Sequence, residues 1–223
     1  GAVRGPINTR STSRELNYFI ENSASSFLVI DRKYQEIWNE AKEKTSGQMR
    51  SDPIWVSDNE SEKWWRHAVD NFDYDDADSI TPTSLMSVQY TSGSTGMPKG
   101  CMLTHDYWGL LARVRALQGE PAARVMIDKP MSYMGGMWRF LMCLTQGSTA
   151  CVAVSFTLSG LHSRLVENNI NYFSATDAVA NLPDDQSIKS LEISWISAAG
   201  LSKNLQRKLE ERFRAPVREM FGM

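Results

Sequence analysis

The chain has 223 residues, of which 42% are hydrophobic and 22% charged, and its formal net charge is −2 at pH 7. This composition is typical of a soluble globular protein with enough chain to bury a core. The weak net charge argues against nucleic acid or an anionic membrane as a partner. The sequence contains no run of about 18 apolar residues, the length needed to span a bilayer. Three cysteines without a C-x-x-C pair predict reduced thiols and a cytoplasmic setting.

Residues 1–84 predict a first segment made of two helices and two short strands. Ser11–Asn22 is typical of a helix capped by Thr12 or Ser13, and Phe27–Ile30 of a buried strand. A second helix follows at residues 34–46, and Ile54–Val56 predicts another strand. Residues 58–83 form a variable loop rich in Asp. Its carboxylates lack the EF-hand order, so a solvated loop is favoured over a metal site, and no metal ligand is assigned.

From residue 85 to residue 223 strands and helices alternate, which predicts a second segment of α/β type. The expected strands lie at residues 85–90, 125–127, 149–154, 171–174, 193–197 and 217–221, with helices between them. Such alternation favours a mostly parallel sheet with helices on both faces, a layered αβα fold. Loops at residues 91–100, 130–138, 198–202 and 221–223 each follow a strand, so we expect them to converge on one edge of the sheet.

The stretch Tyr90–Gly100 reads Y-T-S-G-S-T-G-M-P-K-G and is the strongest local signal in the chain. Glycine frees backbone N–H groups, hydroxyls add donors and Lys99 adds a positive charge, a combination suited to holding phosphate oxygens. The alternative is a flexible surface turn, because Ser, Thr and Gly are common in loops. The strand before this stretch and the helix expected at residues 105–118 favour the phosphate interpretation.

Two common phosphate-binding patterns do not fit this stretch. G-x-x-x-x-G-K-[ST] fails because Gly93 lies five residues before Pro98 and no hydroxyl residue follows Lys99. G-x-G-x-x-G fails because no glycine stands two residues after Gly93. Pro98 also biases Met97 away from helical geometry, so the loop should not run straight into a helix.

The stretch resembles the phosphate loop of the adenylate-forming enzymes, which include acyl-CoA synthetases, luciferases and the adenylation domains of nonribosomal peptide synthetases. That loop reads Y-T-S-G-[ST]-T-G-x-P-K-G and agrees with Tyr90–Gly100 at every constrained position. Residues 130–136 resemble the family's P-x-x-H-x-x-G loop, with Tyr133 in place of the histidine. Residues 196–202 resemble its S-G-G-A-P-L-S turn, although one residue shorter and without the proline. Residues 221–223 match the start of its [YF]-G-M-T-E motif.

The resemblance extends over nearly the whole chain, including an N-terminal G-A-x-x-x-P-I-N segment, and is weakest at about residues 45–80. It implies part of the N-terminal domain of an adenylate-forming enzyme. The chain ends before the Thr-Glu of the adenine motif, and the later ribose-binding aspartate and the small C-terminal domain with its catalytic lysine are absent. We therefore expect the 223-residue chain alone to be inactive.

The resemblance also implies the chemistry and the residues that carry it. ATP, with Mg²⁺, activates a small-molecule carboxylic acid as an acyl-adenylate, and a thiol, usually that of coenzyme A, then displaces AMP. Lys99 and Thr95 are the implied catalytic residues. The implied nucleotide contacts are Thr91, Ser92, Gly93, Ser94, Thr95, Gly96, Lys99, Ala199, Gly200, Phe221, Gly222 and Met223, and the implied acyl-substrate contacts are Tyr133, Gly135, Gly136 and Trp138.

Several alternatives stay open. Lys99 could be a solvated loop residue, Phe221 an ordinary strand-end core residue, and Trp138 part of the core rather than of a pocket. The leading interpretation is an acyl-CoA synthetase-like ligase, with fatty or other acyl acids as substrates. A peptide-synthetase adenylation domain, which would pass the acyl group to a carrier-protein thiol, is a close rival. A non-catalytic nucleotide-binding protein is the alternative from another class.

Overall fold

The computed structural model describes residues 2–44, 52–56, 79–91, 96–153 and 157–220. The chain divides into two compact units, Gly1–Asp106 and Tyr107–Met223. The variable loop expected at residues 58–83 lies almost wholly outside the described residues. The expected boundary between segments, at residues 84 and 85, falls inside the first unit and stays a prediction.

The first unit begins with helix α1 (Ser13–Asn22), strand β1 (Val29–Asp31), helix α2 (Gln35–Lys42) and strand β2 (Ile54–Val56). Thr12 and Glu15 form a capping box at the start of α1, which satisfies backbone donors that a helix N-terminus leaves free. Strands β1 and β2 pair in parallel, and α1 packs against α2. A small core joins these elements; its buried members are Leu16, Ile20, Leu28, Trp38 and Ala41.

The prediction of a buried strand at Phe27–Ile30 is only partly correct. The strand begins two residues later, at Val29, and Phe27 and Val29 are 59% and 54% exposed. Leu28 is the buried residue of this stretch, because it packs against the core formed by α1 and α2. The apolar run therefore correctly indicated a strand at this place, but it did not indicate that one side of the strand is exposed.

An antiparallel hairpin completes the first unit. Strand β3 (Leu85–Thr91) was expected, whereas its partner β4 (Lys99–Thr104) was not. The two strands pair from Leu85 opposite Thr104 to Thr91 opposite Lys99. Because this hairpin forms a two-stranded sheet of its own, the loop at residues 91–100 does not follow a strand of the parallel sheet. The expectation that this loop follows a strand of the parallel sheet is thus wrong, while its convergence with the other three loops stays a prediction.

Helix α3 (His105–Ala116) follows β4. Its sequence carries an apolar stripe, yet Tyr107, Leu110, Val114 and Leu117 along that stripe are 42–86% exposed. The buried side of the helix instead contains Trp108 and Ala112. The largest aromatic side chain, rather than the longest stripe, determines which side of this helix is buried.

The second unit is built on a five-stranded parallel sheet, ordered β6-β5-β7-β8-β9. The strands are β5 (Arg124–Ile127), β6 (Thr149–Val152), β7 (Tyr172–Ala175), β8 (Trp195–Ala198) and β9 (Val217–Glu219). The helices between them are α4 (Met134–Gln146), α5 (Leu161–Glu167), α6 (Asp177–Ala180) and α7 (Lys203–Phe213). The expected α/β class, with a mostly parallel sheet in an αβα arrangement, is confirmed.

The two faces of this sheet differ in chemistry, because side chains alternate along each strand. One face carries Phe173, Ala175, Ile196 and Ala198, which join α5 and α7 in one apolar core. The opposite face carries Tyr172, Ser174, Trp195 and Ser197, which are register partners across β7 and β8. Helix α4 reaches this second face, since Arg139 in α4 donates to Ser174. One face is thus apolar, and the other holds a buried polar network.

The strand order places a topological switch point at β5 and β7. From β5 the chain moves outward to β6 and then returns to β7 on the other side of β5. At such a reversal the connecting helices leave toward opposite faces, which opens a crevice outside the carboxyl ends of the two strands. The loop at residues 130–138 and the first turn of α4 follow β5 directly, so they lie beside this crevice.

Two further observations concern the surroundings of the sheet. Burial raises the pKa of the Cys143 thiol to about 11, so this side chain in α4 is protonated at neutral pH. Cys101, Cys143 and Cys151 are all free thiols.

No helix in the described part of the chain is long and apolar enough to cross a membrane.

Gly136 is needed where α4 passes the end of β5. A Cβ at this position would lie 2.3 Å from the carbonyl oxygen of Pro130 and 2.6 Å from that of Lys129. Since both contacts are with backbone, we expect Gly136→Ala to lower the free energy of unfolding by about 1–3 kcal/mol, measured by urea denaturation. Gly109→Ala in α3 is the matched control, because its Cβ would meet nothing within 4 Å. Equal or greater stability of Gly136→Ala would contradict this account of the turn.

Candidate nucleotide and substrate sites

The predicted phosphate loop lies between the ends of the β3–β4 hairpin. Thr91 and Lys99 are directly opposite each other in the ladder, and both are exposed. Opposed residues in an antiparallel pair project from the same side, so a hydroxyl and an ammonium group flank the loop together. Residues 92–95, which include Ser92, Gly93, Ser94 and Thr95, lie outside the described residues.

Gly96 has a backbone conformation that supports its role in the loop. Its φ is +134°, in a region that residues with a side chain rarely adopt. Gly100, one residue into β4, has a different reason to be glycine. A Cβ there would lie 2.8 Å from Cγ1 of Val88, so a side chain would disturb the hairpin just below the loop.

Helix α1 holds the hairpin residues next to the loop. The sequence analysis did not indicate these contacts. The Tyr18 hydroxyl donates to the carbonyl oxygen of Pro98 at 2.8 Å. The Tyr90 hydroxyl donates to Oδ1 of Asn22 at 2.9 Å, and the ring centroids of Phe19 and Tyr90 are 4.5 Å apart. Partial burial raises the pKa of Tyr90, so its hydroxyl remains a donor at neutral pH. Both ends of the loop are thus held by one helix.

The implied adenine contacts follow β8 and β9 at the carboxyl edge of the parallel sheet. Ala199 and Gly200 are exposed directly after β8, and Gly200 has φ +70°. The Met220 amide donates to the carbonyl oxygen of Ala198 at 2.7 Å, so the chain after β9 runs beside the end of β8. Phe221, Gly222 and Met223 lie outside the described residues, and their nucleotide contacts stay predictions.

The implied acyl contacts follow β5 at the same edge. Tyr133 is 51% exposed and precedes α4, while Gly136 and Trp138 are buried within the first turns of that helix. Trp138 is only 7% exposed, as expected for a core residue or for the wall of a narrow pocket. Gly135 lies against Lys129 and Arg139.

A polar network missed by the sequence analysis lies directly beneath these residues. Arg139, only 7% exposed, donates through Nη1 to the carbonyl oxygen of Gly135 at 2.7 Å and through Nη2 to Oγ of Ser174. The hydroxyls of Ser174 and Ser197 are 2.8 Å apart, and the Tyr172 hydroxyl donates to Ser197 at 2.9 Å. Nε of Arg139 is buried with no hydrogen-bond partner. No sequence pattern marks Arg139, because a single charge in an apolar helix resembles an ordinary surface position.

Two further arginines lie on the same face of the sheet, beside tryptophans. The guanidinium carbons of Arg139 and Arg115 are 4.4 and 5.3 Å from the Trp138 ring centroid. That of Arg218 is 5.7 Å from the Trp195 ring centroid. Within the described residues, none of the three guanidinium groups makes an ion pair. Positive charge therefore accumulates on this face, with no ion-paired carboxylate among the residues that the structure describes.

Other features of the described chain do not coincide with the predicted residues. A cavity of about 860 Å³ in the first unit is lined by residues of the N-terminal segment, α1, β1 and α2, and none of the implied site residues lines it. No group of three His, Cys, Asp or Glu residues among the described positions could hold a metal ion. The Thr91 hydroxyl, the Gly96 backbone and the Lys99 ammonium group are suited to binding phosphate oxygens. The described residues offer no comparable set of protein ligands for Mg²⁺.

Comparison with known proteins agrees with the resemblance. A model of the family described as AMP-binding enzyme matches residues 1–223. Malformin synthetase mlfA of Aspergillus homomorphus is 28% identical over 177 residues, which is 72% of this chain and 3% of that protein. Nonribosomal peptide synthetase sidE of Aspergillus fumigatus is 28% identical over 134 residues, 57% of this chain and 6% of that protein. The chain thus spans only a small part of these curated relatives.

Solved structures show the same fold at low sequence identity. The N-terminal domain of FACL13 from Mycobacterium tuberculosis has a TM-score of 0.83 at 18% identity, covering 100% of this chain and 57% of that one. A benzoate CoA ligase from Burkholderia xenovorans LB400 has a TM-score of 0.79 at 16% identity, covering 99% and 45%. Taken with the family match along its whole length, these findings show that the chain belongs to the AMP-binding, adenylate-forming enzymes, as part of their N-terminal domain.

Proposed function

We propose that the full-length protein containing this chain joins a carboxylic acid to a thiol in two ATP-driven steps. In the first, a carboxylate oxygen attacks the α-phosphorus, and pyrophosphate leaves with the electrons of the broken P–O bond. In the second, a thiolate sulfur attacks the acyl carbon and AMP leaves. The observation that carries this proposal is the motif at Tyr90–Gly100 on its hairpin, with Thr91 and Lys99 projecting from one side.

Each group of implied residues has a separate role in this proposal. Lys99, Thr95 and the backbone of the loop hold the phosphates while negative charge moves onto pyrophosphate, so positioning and electrostatics supply most of the rate. Ala199 and Gly200, with Phe221, receive the adenine. Tyr133, Gly135, Gly136 and Trp138 border the acyl group. Mg²⁺, when bound, neutralises phosphate charge.

Coenzyme A is the proposed thiol, and the free cysteines favour a cytoplasmic enzyme. The second candidate is peptide-type adenylation with a carrier-protein thiol, which the sequence relatives favour. An amino-acid substrate would bring an ammonium group, whereas the charge buried beside the implied acyl contacts is the guanidinium of Arg139. Asp128, a buried carboxylate after β5, is ion-paired through Oδ2 with Lys129 at 2.7 Å, while its Oδ1 has no hydrogen-bond partner. This charge pattern supports an acid without an amino group.

The first test is carboxylate-dependent ATP–pyrophosphate exchange by the full-length protein over a panel of acids. We expect acyl acids to stimulate exchange and free amino acids to leave it at background. Coenzyme A should then consume the acyl-adenylate, seen as thioester by mass spectrometry. Exchange with amino acids alone would support the peptide-type candidate, and no exchange with any acid would refute carboxylate activation.

Lys99→Ala should lower kcat/KM for exchange by about 100-fold, because it removes one charge-bearing donor to the developing pyrophosphate. Lys208→Ala is the matched control, since Lys208 is an exposed lysine of α7 and the same charge is removed. The two variants are compared in the same exchange assay. Unchanged kinetics for Lys99→Ala would mean that Lys99 is merely a solvated loop residue.

Tyr18→Phe should raise the KM for ATP several-fold while leaving the fold intact, because it removes the hydrogen bond that holds Pro98 at the end of the loop. One neutral hydrogen bond contributes about 0.5–1.5 kcal/mol, which sets the size of the effect. Tyr34→Phe, in the 3₁₀ turn before α2, is the control for loss of a tyrosine hydroxyl. A KM for ATP equal to that of the wild type would exclude a positioning role for Tyr18.

A further inference from the structure

The network around Arg139 contains buried hydrogen-bond donors that have no described acceptor. Ser174, Ser197 and Tyr172 contribute three hydroxyl protons, and two of these lie in the hydrogen bonds Tyr172–Ser197 and Ser174–Ser197. Whichever serine donates in the second bond, the proton of the other has no described acceptor. The Arg139 Nε–H is likewise buried and unpartnered. The network therefore holds at least two unused donors, the Arg139 Nε–H and one serine hydroxyl proton.

The buried charge of the Arg139 guanidinium also calls for a ligand that can accept hydrogen bonds, and for one that is negatively charged. A guanidinium removed from water is costly unless it is paired, since burial strips its hydration. The Trp138 ring offers a partial compensation at 4.4 Å, but a cation–π contact does not neutralise the charge. No described carboxylate forms an ion pair with Arg139; Asp128 pairs through Oδ2 with Lys129, and its Oδ1 is buried without a hydrogen-bond partner. A ligand that brings an anion would supply both the missing charge and the missing acceptors.

The position of the network indicates where such a ligand would come from. Arg139 lies in α4, which follows β5, and it donates a hydrogen bond to Ser174 in β7. Strands β5 and β7 are the two strands at the switch point of the sheet. Its Nη1 bonds to Gly135, and its guanidinium lies over Trp138, two of the implied acyl contacts. An acid bound along α4 would extend toward this network with the end that does not react.

We propose that Arg139, with the hydroxyls of Ser174 and Ser197, binds a second carboxylate at the distal end of the acid substrate, so that the acid activated by this protein is a dicarboxylic acid. This inference rests on the proposed function and specifies its substrate class. One carboxylate reacts with ATP, and the other accepts hydrogen bonds from the Arg139 guanidinium and from the spare serine proton. Arg139 is here a binding residue, with no part in bond breaking.

The test compares paired acids with the full-length protein. Succinate, glutarate, adipate and isophthalate are each measured in ATP–pyrophosphate exchange beside butyrate, pentanoate, hexanoate and benzoate, respectively. In the three aliphatic pairs a methyl group replaces the second carboxylate. In benzoate a hydrogen atom replaces it. We expect at least one dicarboxylate to exceed its monocarboxylate partner by about 100-fold in kcat/KM, because a site built from buried polar groups rejects an analogue that leaves them unpaired. Equal or better exchange with all the monocarboxylates would overturn the inference while leaving carboxylate activation intact.

Variants assign the effect to the network. Arg139→Gln should lower kcat/KM for the preferred dicarboxylate by about 100-fold and change that for its monocarboxylate partner little, and Arg139→Lys should restore part of the preference. Arg113→Gln, an exposed arginine of α3, is the control for loss of one positive charge. A dicarboxylate preference unchanged in Arg139→Gln would overturn the inference. Should that variant fail to fold, Ser174→Ala and the wild-type panel still decide.

A binding measurement separates this inference from the proposed function. If no acid supports exchange, the shift in Tm produced by the same acids is measured on wild type and Arg139→Gln. A shift with dicarboxylates that is lost in Arg139→Gln would support the anion site although the proposed activity fails. No shift with any dicarboxylate would overturn both.

Discussion

The parallel pairing of β5 with β6 on one side and β7 on the other determines most of the second unit. Because the sheet grows in both directions from β5, the helices that follow β5 and β6 must leave toward opposite faces. Helix α4 therefore covers one face near the carboxyl ends of β5 and β7, while α5 joins α7 over the other. This pairing also places the loop at residues 130–138, which carries the implied acyl contacts, after β5 at the carboxyl edge of the sheet.

The two faces of the sheet give one set of strands an apolar core on one side and a buried polar network on the other. The face beneath α5 and α7 is a continuous apolar core, in which burial of aliphatic and aromatic side chains supplies the driving force for folding. The face beneath α4 contains arginines beside tryptophans and a hydroxyl network instead. Burying these groups costs free energy, and the apolar face opposite offsets that cost.

Much of the second unit was predictable from local sequence, and the reasons are physical. Apolar runs such as Val125–Ile127 and helix signals such as the Ser202 cap of α7 are encoded within a few residues. Strand β4 was not predictable in this way, since it begins with Lys99 and Gly100, which have low strand propensity and adopt the strand conformation through pairing with β3. The role of Arg139 is likewise tertiary: its partners Ser174 and Ser197 come from two other strands.

The pairing of Thr91 with Lys99 has a consequence for the thermodynamics of nucleotide binding. The ladder holds the two ends of the intervening segment one strand spacing apart, and the Tyr18 contact to Pro98 holds the second end against α1. The entropy of bringing those ends together is therefore lost when the hairpin folds, not when ATP arrives. Under the proposed phosphate role, binding free energy that would otherwise close the loop would remain for the phosphates, so the hairpin would gain affinity without adding a contact.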